Sequence, residues 1–280
     1  MPGRLILCAT PIGNLEDMSE RAVKTLSSAP VLACENPSRT KKLLSHFGIR
    51  TPQLVVYNEG NERRQVPRLI EMMSRGSDVV LVSDAGMPGL SDPGYRLVRA
   101  CVARGLSVEV VPGPSAAVTA LALSGLPPGR FVFEGFLPRK AGDRRRRIDE
   151  LRDETRTIVL YESPHRVEES LTDLAAILGP RPAVLARELT KLHEEVRRGS
   201  LPDLALSVSE NPVRGEVVLV IQGAVGEHQP KPDAASLADQ ARRLMQEGVD
   251  RKQALAAVAR EAGVSKREVF DALVEQKDES

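Results

Sequence analysis

The first 128 residues alternate short apolar runs with stretches of helical periodicity, and that rhythm limits the folds open to the chain. The runs are RLILCA (4–9), VLACE (31–35), QLVVY (53–57), DVVLV (78–82) and SVEVVP (107–112). Apolar residues fill successive positions instead of alternate ones, which suits strands covered on both faces. Strands separated by amphipathic helices build a parallel sheet between helical layers. In DPGYRLVRACVARG, Tyr95, Val98, Cys101 and Val102 fall near helical spacing, and Gly105 supplies a stop. The expected class is α/β.

From RFVFEGFLP (130–138) the rhythm changes. A charged helical segment is followed by TIVLY (157–161), a helix from Pro164, PAVLARE (182–188), EEVRRG (194–199) and GEVVLVIQG (215–223). Some of these strands lie too close in sequence for helical crossovers, so part of the second sheet is expected to be antiparallel. The division this suggests is 1–128, a parallel α/β domain; 129–224, a mixed-sheet α/β domain; 225–235, a polar linker with two prolines; and 236–280, a helical, helix-turn-helix-like domain. In the last, Asp250 with Gln253 and Ser265 with Glu268 have capping-box spacing. Gly263 breaks the chain between the two helices, and Leu255, Val258, Val264, Val269, Phe270 and Leu273 form the expected core.

The apolar runs are too short for a membrane-spanning helix, and the N-terminus reads as a first strand, not a signal peptide. Cys8, Cys34 and Cys101 stand far apart inside apolar patterns, which is no metal-site spacing and fits a reducing cytosol. A net charge of +1 excludes a broadly basic nucleic-acid binder; any such surface must be local.

Three strand-to-helix loops are chemically unusual: ATPIGNLED after the first strand, VSDAGMPGLSDPG (82–94) at the fourth, and VPGPSAAV after the fifth. Such loops gather at the carboxyl end of a parallel sheet, where ligands bind. Their glycines permit close backbone approach and their prolines fix its direction, a cradle suited to a nucleoside. Asp84 has no helix to cap and is read as a ligand contact. Asp92, just before Pro93, is read as the cap of the next helix. Ser115 fits a cap or a cleft-facing hydroxyl equally. Neither G-x-G-x-x-G nor G-x-x-x-x-G-K-[ST] is present in these loops, which argues against nicotinamide and P-loop schemes.

ATPIGNLEDMSERA, CENPSRTKKLLSHFGI, VSDAGMPGLSDPG, VPGPSAAVTAL, GFLPRK, YESPHRV and ARELTKLHEE, seven motifs in order, together resemble the small-subunit ribosomal RNA methyltransferase I family of the tetrapyrrole-methylase superfamily. The resemblance spans Leu5 to Ile221, and the helical tail is similar to the family's C-terminal domain. It implies a two-domain tetrapyrrole-methylase-like fold with a small helical domain, and methylation by S-adenosylmethionine of the ribose 2′-OH of a decoding-centre cytidine in 16S rRNA of the 30S subunit. It also implies a cytoplasmic homodimer, with the cofactor held between the α/β domains by Asp84, Gly86, Met87, Ser115 and Ala116, and further by Pro11, Tyr161, Ala186 and Gly215. No metal is implied.

Methyl transfer to a ribose hydroxyl is helped by a base, or by a cation that stabilises the developing alkoxide. Glu188 and Lys191 are the leading candidates, beside Glu162, His165 and Asn14. The run RKAGDRRRR (139–147) carries six cations against one Asp and supplies the expected RNA contacts: Arg139, Lys140, Arg144, Arg145, Arg146 and Arg147. A tetrapyrrole methyltransferase is the competing enzyme reading, and a non-enzymatic nucleic-acid-binding regulator the competing non-enzyme one. The basic run disfavours the first, and the three cleft loops disfavour the second.

Overall fold

The computed structural model describes residues 1–225, 234–246, 249–262 and 264–278. Residues 1–224 and 225–280 form two compact units. Most of the expected linker, and Gly263, lie outside the described residues.

Within the first unit the five leading runs become β1 (Leu5–Cys8), β2 (Val31–Cys34), β3 (Gln53–Val56), β4 (Val79–Val82) and β5 (Val108–Val111). They pair in parallel in the order β3-β2-β4-β1-β5. Between them run α1 (Glu20–Ser28), α2 (Pro37–His46), α3 (Glu62–Ser74) and α4 (Tyr95–Val102). One face of the sheet packs Leu5, Ala33, Val79 and Leu81 against Leu69, Met73 and Leu97 of α3 and α4. The other packs Ile6, Leu32 and Val80 against Leu26 and Leu44 of α1 and α2. Every residue of β2 and β4 is buried, the pattern expected of central parallel strands.

Helix α5 (Ala116–Ser124) is apolar on nearly every side, although Val118 and Leu123 stay exposed. Its Ala117, Ala120 and Leu121 pack on Val159, Val184, Ala186, Val218 and Val220 of a second sheet. That sheet contains β6 (Phe131–Phe136), β7 (Thr157–Glu162), β8 (Pro182–Arg187), β9 (Glu195–Ser200) and β10 (Val217–Ile221). Its order is β6-β7-β10-β8-β9; only β6 and β7 are parallel, so the sheet is mixed as expected. The far face is covered by α6 (Ala141–Glu150), α7 (Val167–Leu178) and α8 (Leu201–Glu210). Helix α8 went unread in the sequence, although Ser200 and Asp203 form a reciprocal capping box around Pro202.

The second unit contains α9 (Ala234–Gln246), α10 (Arg251–Glu261) and α11 (Lys266–Asp278). Val258 and Val269 are buried with Leu237, Ala241 and Ala272. Phe270, expected in this core, is instead 42% exposed, with the Arg251 guanidinium 5.3 Å from its ring centre. The Ser265–Glu268 capping box forms, whereas Asp250 caps only through the Lys252 N–H.

The basic run does not present a free cationic face. Arg144, expected to contact RNA, is 4% exposed and donates to Asp173 at 2.8 Å, with Glu169 at 3.3 Å. Arg145 shares Asp173, Arg146 pairs with Asp143, and Arg147 binds Glu134 and Glu150. A guanidinium buried against α7 must be paired because desolvating a charge costs several kcal/mol. Arg139 and Lys140 are exposed, with no carboxylate partner among the described residues. Burial alone would raise the Asp173 carboxyl, but Arg145 and Arg144 outweigh it and hold it below the usual value. Replacing Asp173 by Ala strands the buried Arg144 and should cost about 3 kcal/mol in urea unfolding. An unchanged midpoint would contradict this structural role for Arg144.

Candidate active site

Strands β4, β1 and β5 are neighbours, so the three unusual loops end side by side. Thr10 and Gly86 exchange backbone hydrogen bonds of 2.9 and 3.0 Å, tying the first loop to the second. Gly86 has φ +75°, and a Cβ there would lie 3.3 Å from Ile12 Cγ2. Both the positive φ and the close approach favour glycine at this point.

A cavity of about 340 Å³ lies over these loops, between them and the second sheet. This is within the usual size of small-molecule sites, at roughly 300–1,000 Å³. Among its walls are Asp84, Gly86, Met87, Ser115, Ala116 and Tyr161, all expected cofactor contacts. The Tyr161 hydroxyl accepts from the Ala117 N–H at 3.3 Å, joining β7 to the start of α5. Ser115 stands at the N-cap position of α5 but makes no capping bond, leaving its hydroxyl on the cavity wall. The outer carboxylate oxygen of Asp84, Oδ2, lies 3.3 Å from Arg39. Its Oδ1 is buried without a hydrogen-bond partner, a costly state for a carboxylate oxygen.

Other expected residues fall elsewhere. Pro11 lines a second cavity, of about 370 Å³, that shares Ile12, Arg39, Asp84, Ala85 and Glu216 with the first. Ala186 is fully buried under α5 and reaches neither cavity wall. Gly215, at φ +85°, makes room for the Glu188 carboxylate, which a Cβ would overlap.

Glu188 lines neither cavity. It occupies the left-handed region at φ 48°, strained for a residue with a Cβ, as does Thr190 at 65°. Its Oε1 accepts from the Glu216 N–H at 3.0 Å and from Lys191 Nζ at 2.9 Å. Lys191 also binds Glu216 at 3.0 Å and lines the second cavity. Burial alone would raise the Glu188 carboxyl and lower the Lys191 ammonium; their mutual bond and Glu216 outweigh it in both cases. The pair is held charged, with the Glu188 carboxylate fixed against the Lys191 ammonium. Glu162 is likewise engaged, accepting from Ser170 at 2.6 Å and Ser163 at 2.8 Å, and Asn14 caps a 3-10 turn at Leu15–Asp17. His165 sits in the turn before α7, which starts at Val167 instead of near Pro164.

Asp92 does not cap α4: that helix begins at Tyr95 with Gly94 as its cap. The carboxyl lines the first cavity and is pushed up to about 7, first by burial and then by Glu35 and Asp84. Arg39 and Glu216 were also not singled out as site residues. Glu216 directly follows the glycine of GEVVLV, whereas nothing in the sequence separates Arg39 from its neighbouring cations.

Residues 4–205 match the family of tetrapyrrole (corrin/porphyrin) methylases, so the fold and site define a methylase of that class. Its relatives include ribosomal RNA small subunit methyltransferase I of Synechocystis sp., 44% identical over 98% of both chains. The protein of the same name from Mycobacterium bovis is 43% identical over 99% of this chain and 97% of its own. The chain belongs to the ribosomal RNA small subunit methyltransferase I family. Among solved structures, the methyltransferase CobJ aligns at TM-score 0.60 and 19% identity, over 79% of this chain and 95% of its own. Uroporphyrin-III C-methyltransferase of Thermus thermophilus, complexed with S-adenosylhomocysteine, aligns at 0.55 and 20%, over 79% and 97%. Both share the fold of the first unit.

Two outcomes follow from this geometry. Replacing Asp84 with Ala should weaken S-adenosylhomocysteine binding at least about tenfold in calorimetry, as loss of a charged hydrogen-bond acceptor implies; unchanged affinity removes Asp84 from the site. For Asp92, the native value of about 7 exceeds the usual 3.8, so the folded state holds its proton longer than the unfolded chain. Stability from this group is full below 3.8, falls as pH rises toward about 7, and is flat above. Asp92→Asn should therefore raise the melting temperature at pH 8 more than at pH 4; equal shifts would contradict the burial argument.

Proposed function

We propose that the chain methylates the ribose 2′-OH of a decoding-centre cytidine in 16S rRNA of the 30S subunit, with S-adenosylmethionine as methyl donor. The observation that carries this is the near full-length likeness to ribosomal RNA small subunit methyltransferase I of Synechocystis sp. and Mycobacterium bovis, joined to a cavity of nucleoside size walled by Asp84, Gly86, Met87, Ser115 and Tyr161. The residues present fit the cofactor. Asp84 would accept from its hydroxyl or ammonium groups, Gly86 and Met87 would present backbone, and Ile12, Tyr161 and Val218 would cover its apolar surface. The chemistry supplied by the bound sulfonium is a methyl group open to attack by an oxygen nucleophile.

The protein's own part is positioning and charge. Lys191, fixed by Glu188 and Glu216, places an ammonium at the second cavity, where it would stabilise an alkoxide developing on the acceptor. Glu188 positions that ammonium and, by accepting from the Glu216 N–H, holds Glu216 in place as well. The RNA contacts reduce to Arg139 and Lys140 as free cations, with Arg146 able to exchange its exposed partner Asp143, while Arg145 and Arg147 are held by the buried carboxylates of Asp173 and Glu134. The same reading carries a cytoplasmic homodimer. No helix among the described residues is long and apolar enough to cross a membrane.

The direct test is methylation of 30S subunits from a strain lacking the modification, followed by mass mapping. A methyl on one cytidine ribose is expected; a methyl on a base, or no transfer, overturns the reaction. Lys191→Met should lower kcat on the order of 10²-fold while leaving S-adenosylhomocysteine affinity in place, as loss of a charge-stabilising donor does. An unchanged kcat would take Lys191 out of the reaction.

A further inference from the structure

We propose that the second cavity is a phosphodiester subsite, formed by Arg39, Lys42 and Lys191, and that Arg39 couples its occupancy to that of the cofactor cavity. This rests on the functional reading above and specifies how the acceptor strand is held. Arg39 and Lys42 lie three residues apart on α2, so they project from one face of the helix. Lys191 reaches the same cavity from the loop after β8. Two carboxylates also line it, each already bound: Asp84 by Arg39, and Glu216 by Lys191. Lys42 is exposed and has no carboxylate partner among the described residues.

Three cations around one cavity suit an anion, and the chemistry of the acceptor says which one. In RNA a ribose 2′-OH sits next to its own 3′-phosphodiester, so a strand presenting the hydroxyl brings that charge with it. The two cavities share a wall that includes Arg39 and Asp84, which places the anion beside the cofactor site. A guanidinium can bind two phosphate oxygens at once, whereas Lys42 and Lys191 add point charges.

The shared wall makes the two sites interdependent. Asp84 is 25% exposed and Arg39 63%, so their ion pair is solvent-facing and exchangeable. Donors arriving in the first cavity share the charge of the Asp84 carboxylate and so weaken its hold on Arg39, which then turns toward the phosphodiester. A phosphodiester that draws Arg39 away leaves Asp84 free for those donors. Each ligand then favours the other, and by linkage the enhancement is equal in both directions.

The test measures binding of unmethylated 30S subunits across a salt series, with and without S-adenosylhomocysteine. For the wild type, S-adenosylhomocysteine should tighten 30S binding about fivefold or more. Arg39→Gln and Lys42→Gln should each reduce the slope of log K against log salt by about one. Lys42→Gln should keep the enhancement, whereas Arg39→Gln should lose it. Both positions are exposed, so the variants should melt with the wild type. Wild-type slopes in both variants, or an intact enhancement in Arg39→Gln, would overturn the assignment while the methyltransferase reading stands. A wild type that binds neither S-adenosylhomocysteine nor 30S subunits overturns that reading and this inference with it.

Discussion

The site exists because three strands that are far apart in sequence are neighbours in the sheet. β4, β1 and β5 run parallel, so their following loops leave on one edge, and the Thr10–Gly86 bridge locks two of them together. Helix α5 then carries the third loop under the second sheet and closes the space above. Asp84 stands where these loops meet, with Oδ2 facing Arg39 and Oδ1 buried without a partner.

A second constraint concerns charge. The chain is almost neutral, yet its cations are not evenly used. Arg144 is spent inside the fold, where Asp173 compensates its burial, while Arg39 stands at the cavities in a solvent-facing pair and Lys191 is fixed there by Glu188 and Glu216. Glu188 illustrates the cost of such placement. Its backbone is strained, and the strain persists because Gly215, Glu216 and Lys191 together fix its side chain.

Much of this was legible in the sequence. Apolar runs marked every strand except the polar β9 to within about two residues at either end, because burial on one or both faces requires them. The three glycine- and proline-rich loops pointed to the cavity, because their backbone chemistry has no use in an ordinary turn. Partner choice was not legible. Asp92-Pro93 has the local form of a helix start, but the chain continues two residues further to Gly94 before α4 begins, leaving the carboxyl in the cavity. Likewise RKAGDRRRR looks like a free basic face until the helix turns Arg144 inward onto α7, a fact of tertiary packing that no local pattern records. Ala186 and Gly215 sit in conspicuous motifs, and the structure places one under α5 and the other against the Glu188 carboxylate.

The most direct check is a crystal structure of the protein soaked with S-adenosylhomocysteine. The account predicts one nucleoside at the ends of β4, β1 and β5, with a donor on Asp84 Oδ1 and backbone contacts at Gly86 and Met87. Density for the compound at any other place, with those groups untouched, would contradict it.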